Sequence, residues 1–289
     1  MALAASKSRR SFKFKHHLAR AVAADNGDAL RQGEGKHVST GPTNMTFTDD
    51  RLLGGRVRLR QDIGGYRAGM DAALLAAACD AGAGARVLDA GCGVGAVMLA
   101  VAARRPGTQF VGVERDGEAL ALAAANIVLN GMEDRATLVE ADVGAPFSRL
   151  GLAPFDAALA NPPFFDDEGA LRGPAEARRG AWIAPEGLAA WTAFLVKAVR
   201  EGGTITLIHR ADRLADILTG LAPKAGSLRI RGVHPFAGAP AKRVLVRAVK
   251  TGKAPLRLLP PLVLHDRDGA KHTAEVEAIL HGEADLGWD

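Results

Sequence analysis

From residue 46 onward, short apolar runs alternate with longer apolar stripes at helical spacing. The runs Arg86–Ala90, Phe110–Glu114, Ala136–Asp142, Phe155–Ala160 and Thr204–His209 read as buried strands. Between them the stripes Ala72–Cys79, Ala96–Arg104, Glu118–Leu129, Pro185–Glu201 and Arg213–Leu221 read as helices, punctuated by Pro106-Gly107, Asn130-Gly131 and Gly202-Gly203. Strands alternating with helices predict a parallel sheet covered on both faces. A small hairpin is expected over Leu52–Leu59 around Gly54-Gly55. Leu228–Val233 and Arg243–Val249 form a closing antiparallel pair around Gly238-Ala239-Pro240. Leu258–Leu264 reads as an extended segment packed on the sheet, and a last helix falls near Thr273–Leu280. Residues 1–44 lack periodicity and read as a disordered basic extension, 45–250 as the folded domain, and 251–289 as a segment packed on it.

One run differs from the rest in how it ends. Phe155–Ala160 leads straight into Asn161-Pro162-Pro163-Phe164. Two consecutive prolines fix φ twice and remove two backbone donors, so the chain leaves the strand in a stiff extended arc. The Asn161 amide at its mouth offers an acceptor oxygen, and the Pro162 carbonyl offers another. Such a pair suits a planar amine: two accepted N–H groups turn a delocalised lone pair toward an electrophile. Phe164 is then available to stack on the flat group that carries the amine. Read as ordinary turn chemistry, the same four residues need no function. Their place after an apolar strand favours a site, because open α/β sheets bind ligands at the carboxyl ends of their strands.

A second constellation follows Arg86–Ala90. Gly91-Cys92-Gly93-Val94-Gly95 opens the helix at Ala96, and glycines there let backbone approach a nucleotide-like cofactor. The loop alone does not separate NAD from S-adenosylmethionine, since Gly91, Gly93 and Ala96 also satisfy the dinucleotide spacing, with Glu114 roughly 20 residues on. Glu114 ends the second strand, where a carboxylate suits a ribose diol, and Asp142 ends the third, placed to accept from an adenine amino group. A dehydrogenase needs no amine-gripping arc after its fourth strand; a methyltransferase does. A hydride-transferring enzyme also needs a His or Tyr-Lys pair, and Tyr66, the lone tyrosine, has no such partner in sequence.

Composition narrows the picture. The chain has 289 residues and 48% hydrophobic content, enough for one large core. No apolar run approaches the ~20 residues of a membrane span, and no secretory signal is legible. With Cys79 and Cys92 alone, a reduced cytoplasmic chain without disulfides or zinc is expected. The tail carries eight Lys/Arg against three acids and so holds the whole net charge of +5. From Ile217 to His265, however, nine Lys/Arg occur with no acid, as on a phosphate-binding face.

These residues together resemble a known family. Gly65-Tyr66-Arg67 with Asp71, Val87 to Gly95, Glu114, Asp142 and Asn161-Pro162-Pro163-Phe164 are similar to those of class I S-adenosylmethionine methyltransferases that methylate amines. Within them, the likeness over roughly residues 46–265 is to the bacterial tRNA adenine-N6-methyltransferases acting beside the anticodon of a valine tRNA. Pro240 to Val246 fits as well. The resemblance implies a seven-stranded Rossmann-like sheet with helices on both faces and an antiparallel last strand, S-adenosylmethionine as cofactor, and tRNA as substrate. It implies that Asp89, Gly91 and Gly93 line the cofactor, with Glu114 on its ribose, Asp142 on its adenine, and Tyr66 to Asp71 near its methionine end. Asn161 with Pro162 and Pro163 would grip the target amine and Phe164 stack on the base. Arg229, Arg231, Lys242 and Arg243, from the acid-free stretch, are the expected RNA contacts. No metal is implied, and the 44-residue extension lies outside the likeness. The same four-residue motif also serves other bases and the glutamine amide of proteins.

Overall fold

In the computed structural model the described residues are 38–40, 46–63, 67–164, 187–267, 269 and 271–289. The elements run β1 (Val38–Thr40), β2 (Thr46–Leu52), β3 (Val57–Asp62), α1 (Met70–Ala77), β4 (Arg86–Ala90), α2 (Ala96–Arg104), β5 (Gln109–Glu114), α3 (Gly117–Leu129), β6 (Ala136–Glu140) and β7 (Phe155–Ala160). There follow α4 (Gly187–Ala198), β8 (Val199–Arg210), α5 (Leu214–Leu221), β9 (Ala225–His234), β10 (Arg243–Lys250), β11 (Arg257–Val263) and α6 (Ala274–His281).

Eight strands form the main sheet in the order β11-β9-β10-β8-β7-β4-β5-β6. Strands β6, β5, β4, β7 and β8 are mutually parallel, and β10 runs antiparallel between β8 and β9. That is the expected seven-stranded α/β sheet with one addition. Arg257–Val263, expected only to pack on the sheet, pairs in parallel with β9 and becomes its edge. Pro260 and Pro261 lack N–H donors, which suits an edge strand and no other.

The core lies on both faces, as the continuous apolar strands require. On one face Val87, Ala157 and Leu159 meet Leu74 and Leu75 of α1, Met98 and Leu99 of α2, and Val276 and Ile279 of α6. On the other, Leu88, Ala158 and Ala160 meet Leu188, Trp191 and Leu195 of α4 and Ile217 and Leu221 of α5. The C-terminal segment is tied into the first face: Trp288 Nε1 donates to Ala78 O at 2.7 Å and Leu286 N to Ala77 O at 2.9 Å.

Two expectations are corrected. Gly202-Gly203 does not close a helix; α4 ends at Ala198 and the chain enters β8 directly, both glycines lying within that strand. A Cβ on Gly203 would stand 2.9 Å from Arg200 O and 3.1 Å from Asp156 O, so the irregular β7–β8 pairing there needs the bare backbone. Asp71, just ahead of the expected helix Ala72–Cys79, is instead the second residue of α1; Gly69 occupies the cap position and offers no side chain. No helix among the described residues is long and apolar enough to cross a membrane.

Candidate functional site

The sheet register brings the two sequence motifs together. The last pair between β4 and β7 is Ala90↔Ala160, so the next residues, Gly91 and Asn161, leave adjacent strands side by side at the carboxyl edge. Neighbouring strands lie about 4.8 Å apart.

On the β4 side, Gly91, Gly93 and Gly95 have φ of 67°, 52° and 86°, left-handed values that place three turns of direction in five residues. Gly91 N and Cys92 N both donate to Val113 O, and Gly93 N donates to Glu114 Oε2 at 3.0 Å. The other Glu114 oxygen accepts from Arg115 N and Asp116 N. Glu114 thus ties the glycine turn to the end of β5. A Cβ on Gly91 would collide with the Trp191 ring, Cζ3 lying within 2.9 Å and Cη2 nearer still. Above Gly93 the reverse holds: no heavy atom stands within 4 Å of where a Cβ would be. The turn is therefore packed from beneath by Trp191 and open above.

Asp89 is 1% exposed, and its Oδ2 accepts from Met98 N at 3.0 Å, bracing the first turn of α2 against the end of β4. Burial pushes its carboxyl up to about 7, opposed by the Met98 N–H and assisted by the nearby Glu114 charge. The Cys92 thiol, also buried, is pushed well above its ordinary value and stays protonated. Asp142 sits just past β6, its Oδ1 accepting from Gly144 N at 2.7 Å and its Oδ2 facing Arg115 Nη1 at 3.7 Å. An open, glycine-floored volume with Glu114 and Asp142 at successive strand ends fits a nucleoside-bearing cofactor.

On the β7 side, Pro162 is buried and Asn161 half-buried. Because Pro162 and Pro163 have no N–H, the middle of the arc can be held only by carbonyls and side chains. His209, 0% exposed near the end of β8, donates from Nε2 to Pro163 O at 3.2 Å and meets the Phe164 ring edge-on, 5.4 Å between centroids at 84°. The guanidinium of Arg243, the first residue of β10, lies over the Phe164 ring at 4.3 Å. Arg243 Nε in turn binds Asp71 Oδ2 at 3.0 Å. Side chains from three elements brace the arc: His209 of β8 and Arg243 of β10 directly, and Asp71 of α1 through Arg243. Phe164 itself is 8% exposed, so the expected open stacking face is covered here by Arg243.

Sequence reading missed His209 and the task of Arg243. The one available signal was a lone histidine ending the apolar run Thr204–Ile208. Tyr66 and residues 165–186 lie outside the described residues. Arg229 and Arg231, expected to meet RNA, donate to backbone carbonyls: Arg229 to Pro255 O at 3.1 Å, Arg231 to Pro260 O at 3.0 Å and Gly287 O at 2.7 Å. Their guanidiniums fasten the C-terminal segment. Lys242 is exposed, with no ion-pair partner among the described residues. Among those residues no group of three or more His, Cys, Asp or Glu could hold a metal ion.

Residues 67–173 match the family model Methyltransferase small domain. The release factor glutamine methyltransferase of Gloeobacter violaceus is 32% identical over 168 residues, 55% of this chain and 58% of that protein. An rRNA N(6)-adenosine-methyltransferase of Caenorhabditis elegans is 37% identical over 81 residues, 28% of this chain and 38% of that protein. The chain therefore spans only about half the length of these curated relatives. A crystal structure from Agrobacterium tumefaciens, described as a predicted O-methyltransferase, superposes with a TM-score of 0.63 at 28% identity, covering 75% of this chain and 98% of that one. The chain has the class I methyltransferase fold, and the family match and fold together imply S-adenosylmethionine as cofactor.

Proposed function

We propose that the chain is an S-adenosylmethionine-dependent N-methyltransferase whose acceptor is the exocyclic N6 of an adenine in RNA, with tRNA the first substrate to test. The observation that carries this is the Ala90↔Ala160 register, which sets the glycine turn and the Asn-Pro-Pro-Phe arc at one cleft mouth. Gly91 and Gly93 would floor the cofactor, with Asp89 bracing the turn beneath it, Glu114 near its ribose and Asp142 near its adenine. When bound, the cofactor supplies a methyl group on a sulfonium, already activated toward a nucleophile.

The protein's part is alignment. The Asn161 amide oxygen and the Pro162 carbonyl each accept one N–H of the target amine, which pyramidalises the nitrogen and aims its lone pair. An amine so held would take the methyl group and release the donor as a neutral thioether, and its surplus proton would pass to water. A loop adenine is largely unpaired, which lowers the cost of turning it into the cleft. Support for RNA comes from the relative named as an rRNA N(6)-adenosine-methyltransferase and from exposed Lys242, the residue before Arg243.

The glutamine reading has its own support in the names of several relatives, including a ribosomal protein uL3 glutamine methyltransferase. One experiment separates the two. Labelled S-adenosylmethionine is incubated with the protein and with bulk tRNA, rRNA and release factor in parallel, and nucleosides and peptides are analysed. N6-methyladenosine is expected, reduced by about 10²–10³ in Asn161→Ala while calorimetric cofactor binding persists. Label in a glutamine side chain would falsify the adenine assignment, and cofactor binding with no labelled product would overturn the transfer activity.

A further inference from the structure

We infer that Arg243 presents the flat surface on which the acceptor stacks, with Phe164 as its underside rather than as the stacking face itself. This rests on the reading of the arc as the acceptor side of the cleft. Phe164 is 8% exposed, whereas the Arg243 side chain above it keeps 30% exposure. An entering base thus meets guanidinium before ring.

The guanidinium is fixed on three sides. Phe164 supports it at 4.3 Å, Nε binds Asp71 at 3.0 Å, and Nη1 donates to Lys242 O at 3.2 Å. Nη2 makes no hydrogen bond among the described residues, so its two N–H groups remain for a ligand. Guanidinium is planar, weakly hydrated and stacks on both aromatic rings and nucleobases, which lysine cannot do. A platform of this size rewards a purine, whose face spans it, far more than a glutamine amide. Arg243 is therefore a specificity-determining residue, and the Asp71 ion pair sets its orientation. Because Asp71 lies in the first turn of α1 and within Tyr66–Asp71, the stretch expected near the cofactor's methionine end, the platform would also link the two halves of the cleft.

The test compares Arg243→Lys, Arg243→Ala and Phe164→Leu in the full chain. Binding of a fluorescent adenine-containing RNA oligonucleotide is followed by anisotropy without cofactor, alongside acceptor KM and kcat, calorimetric cofactor binding, and thermal unfolding. Arg243→Lys keeps the charge and loses the plane. It should weaken RNA binding and raise acceptor KM about tenfold, as much as Arg243→Ala does, with cofactor heat and unfolding midpoint unchanged. Wild-type RNA affinity in Arg243→Lys means that charge alone matters and the platform is wrong. A larger loss in Phe164→Leu than in Arg243→Ala means the ring is the stacking face, which is equally fatal. Methylglutamine as the wild-type product overturns the adenine reading separately. In that case an unaltered peptide KM in Arg243→Lys overturns the platform too, and a raised one keeps the stacking surface but overturns its preference for a purine.

Discussion

The two sides of the cleft are built in opposite ways. The glycine turn is a local object: Asp89, Gly91, Gly93 and Glu114 lie within one strand-turn-helix-strand passage, and backbone N–H groups make most of its bonds. The proline arc has surrendered its backbone donors and is held by Asp71, His209 and Arg243, which come from three distant parts of the chain. A turn made of backbone tolerates no added atom underneath; an arc held by side chains tolerates substitution if the replacement can make the same bond. Mutations should therefore fail differently on the two sides.

The largest effect is expected at Gly91. Alanine there must clear the Trp191 ring and hold a left-handed φ of 67°, and Trp191 is 6% exposed with little room to move. Gly91→Ala should lose about 4 kcal/mol in denaturant unfolding, overpacking and backbone strain together, and calorimetric cofactor binding with it. A variant that unfolds like wild type would show that the Trp191 packing does not constrain the turn.

Asp89 tests the same side through pH. Its ordinary value near 3.8 applies to the unfolded chain, and burial raises it to about 7 in the fold. Between those values the folded state holds a proton that the unfolded state has released, so stability falls as pH rises from about 4 to about 7 and is flat above. The span corresponds to about 2 to 4 kcal/mol. In Asp89→Asn, whose amide oxygen still accepts from Met98 N, that slope should disappear. Stability profiles of the two proteins that run parallel across the range would refute the assignment.

On the arc side, His209→Ala removes the donor to Pro163 O at a 0% exposed position. The carbonyl of half-buried Pro163 loses its donor, costing about 1 kcal/mol. Methyl transfer should drop about tenfold in kcat while cofactor affinity holds. His209→Gln, which restores an N–H donor, should recover part of both losses. Equal kcat in the alanine variant would mean the arc needs no such brace.

This contrast also explains what was legible in the chain. Strands β4 and β7 and helix α2 were read to the residue, because apolar runs and glycine punctuation are local signals. The glycine turn and the arc were recognised for the same reason. His209, the Arg243–Asp71 pair and the eighth strand were not, since each depends on which distant strand becomes a neighbour. That Arg229 and Arg231 also fasten backbone carbonyls was not legible, because charge counted along a sequence carries no information on what each guanidinium touches. Gly202-Gly203 looked like a helix stop because a glycine pair needed for a strand irregularity has the same spelling.

The smallest perturbation sharpens the comparison most. Gly93 stands two residues from Gly91 in the same turn, with φ of 52°, yet nothing lies within 4 Å of where its Cβ would project. Gly93→Ala should therefore cost the fold only the left-handed strain of an alanine, about 1 kcal/mol. The methyl group nevertheless enters the volume above the turn, and calorimetric S-adenosylmethionine affinity should fall about tenfold, a loss of some 1.4 kcal/mol. The same chemical change thus breaks packing at one glycine and binding at the other. Should Gly93→Ala bind S-adenosylmethionine as wild type does, the open space is not the cofactor's, and the cleft must be sought on another part of the sheet edge.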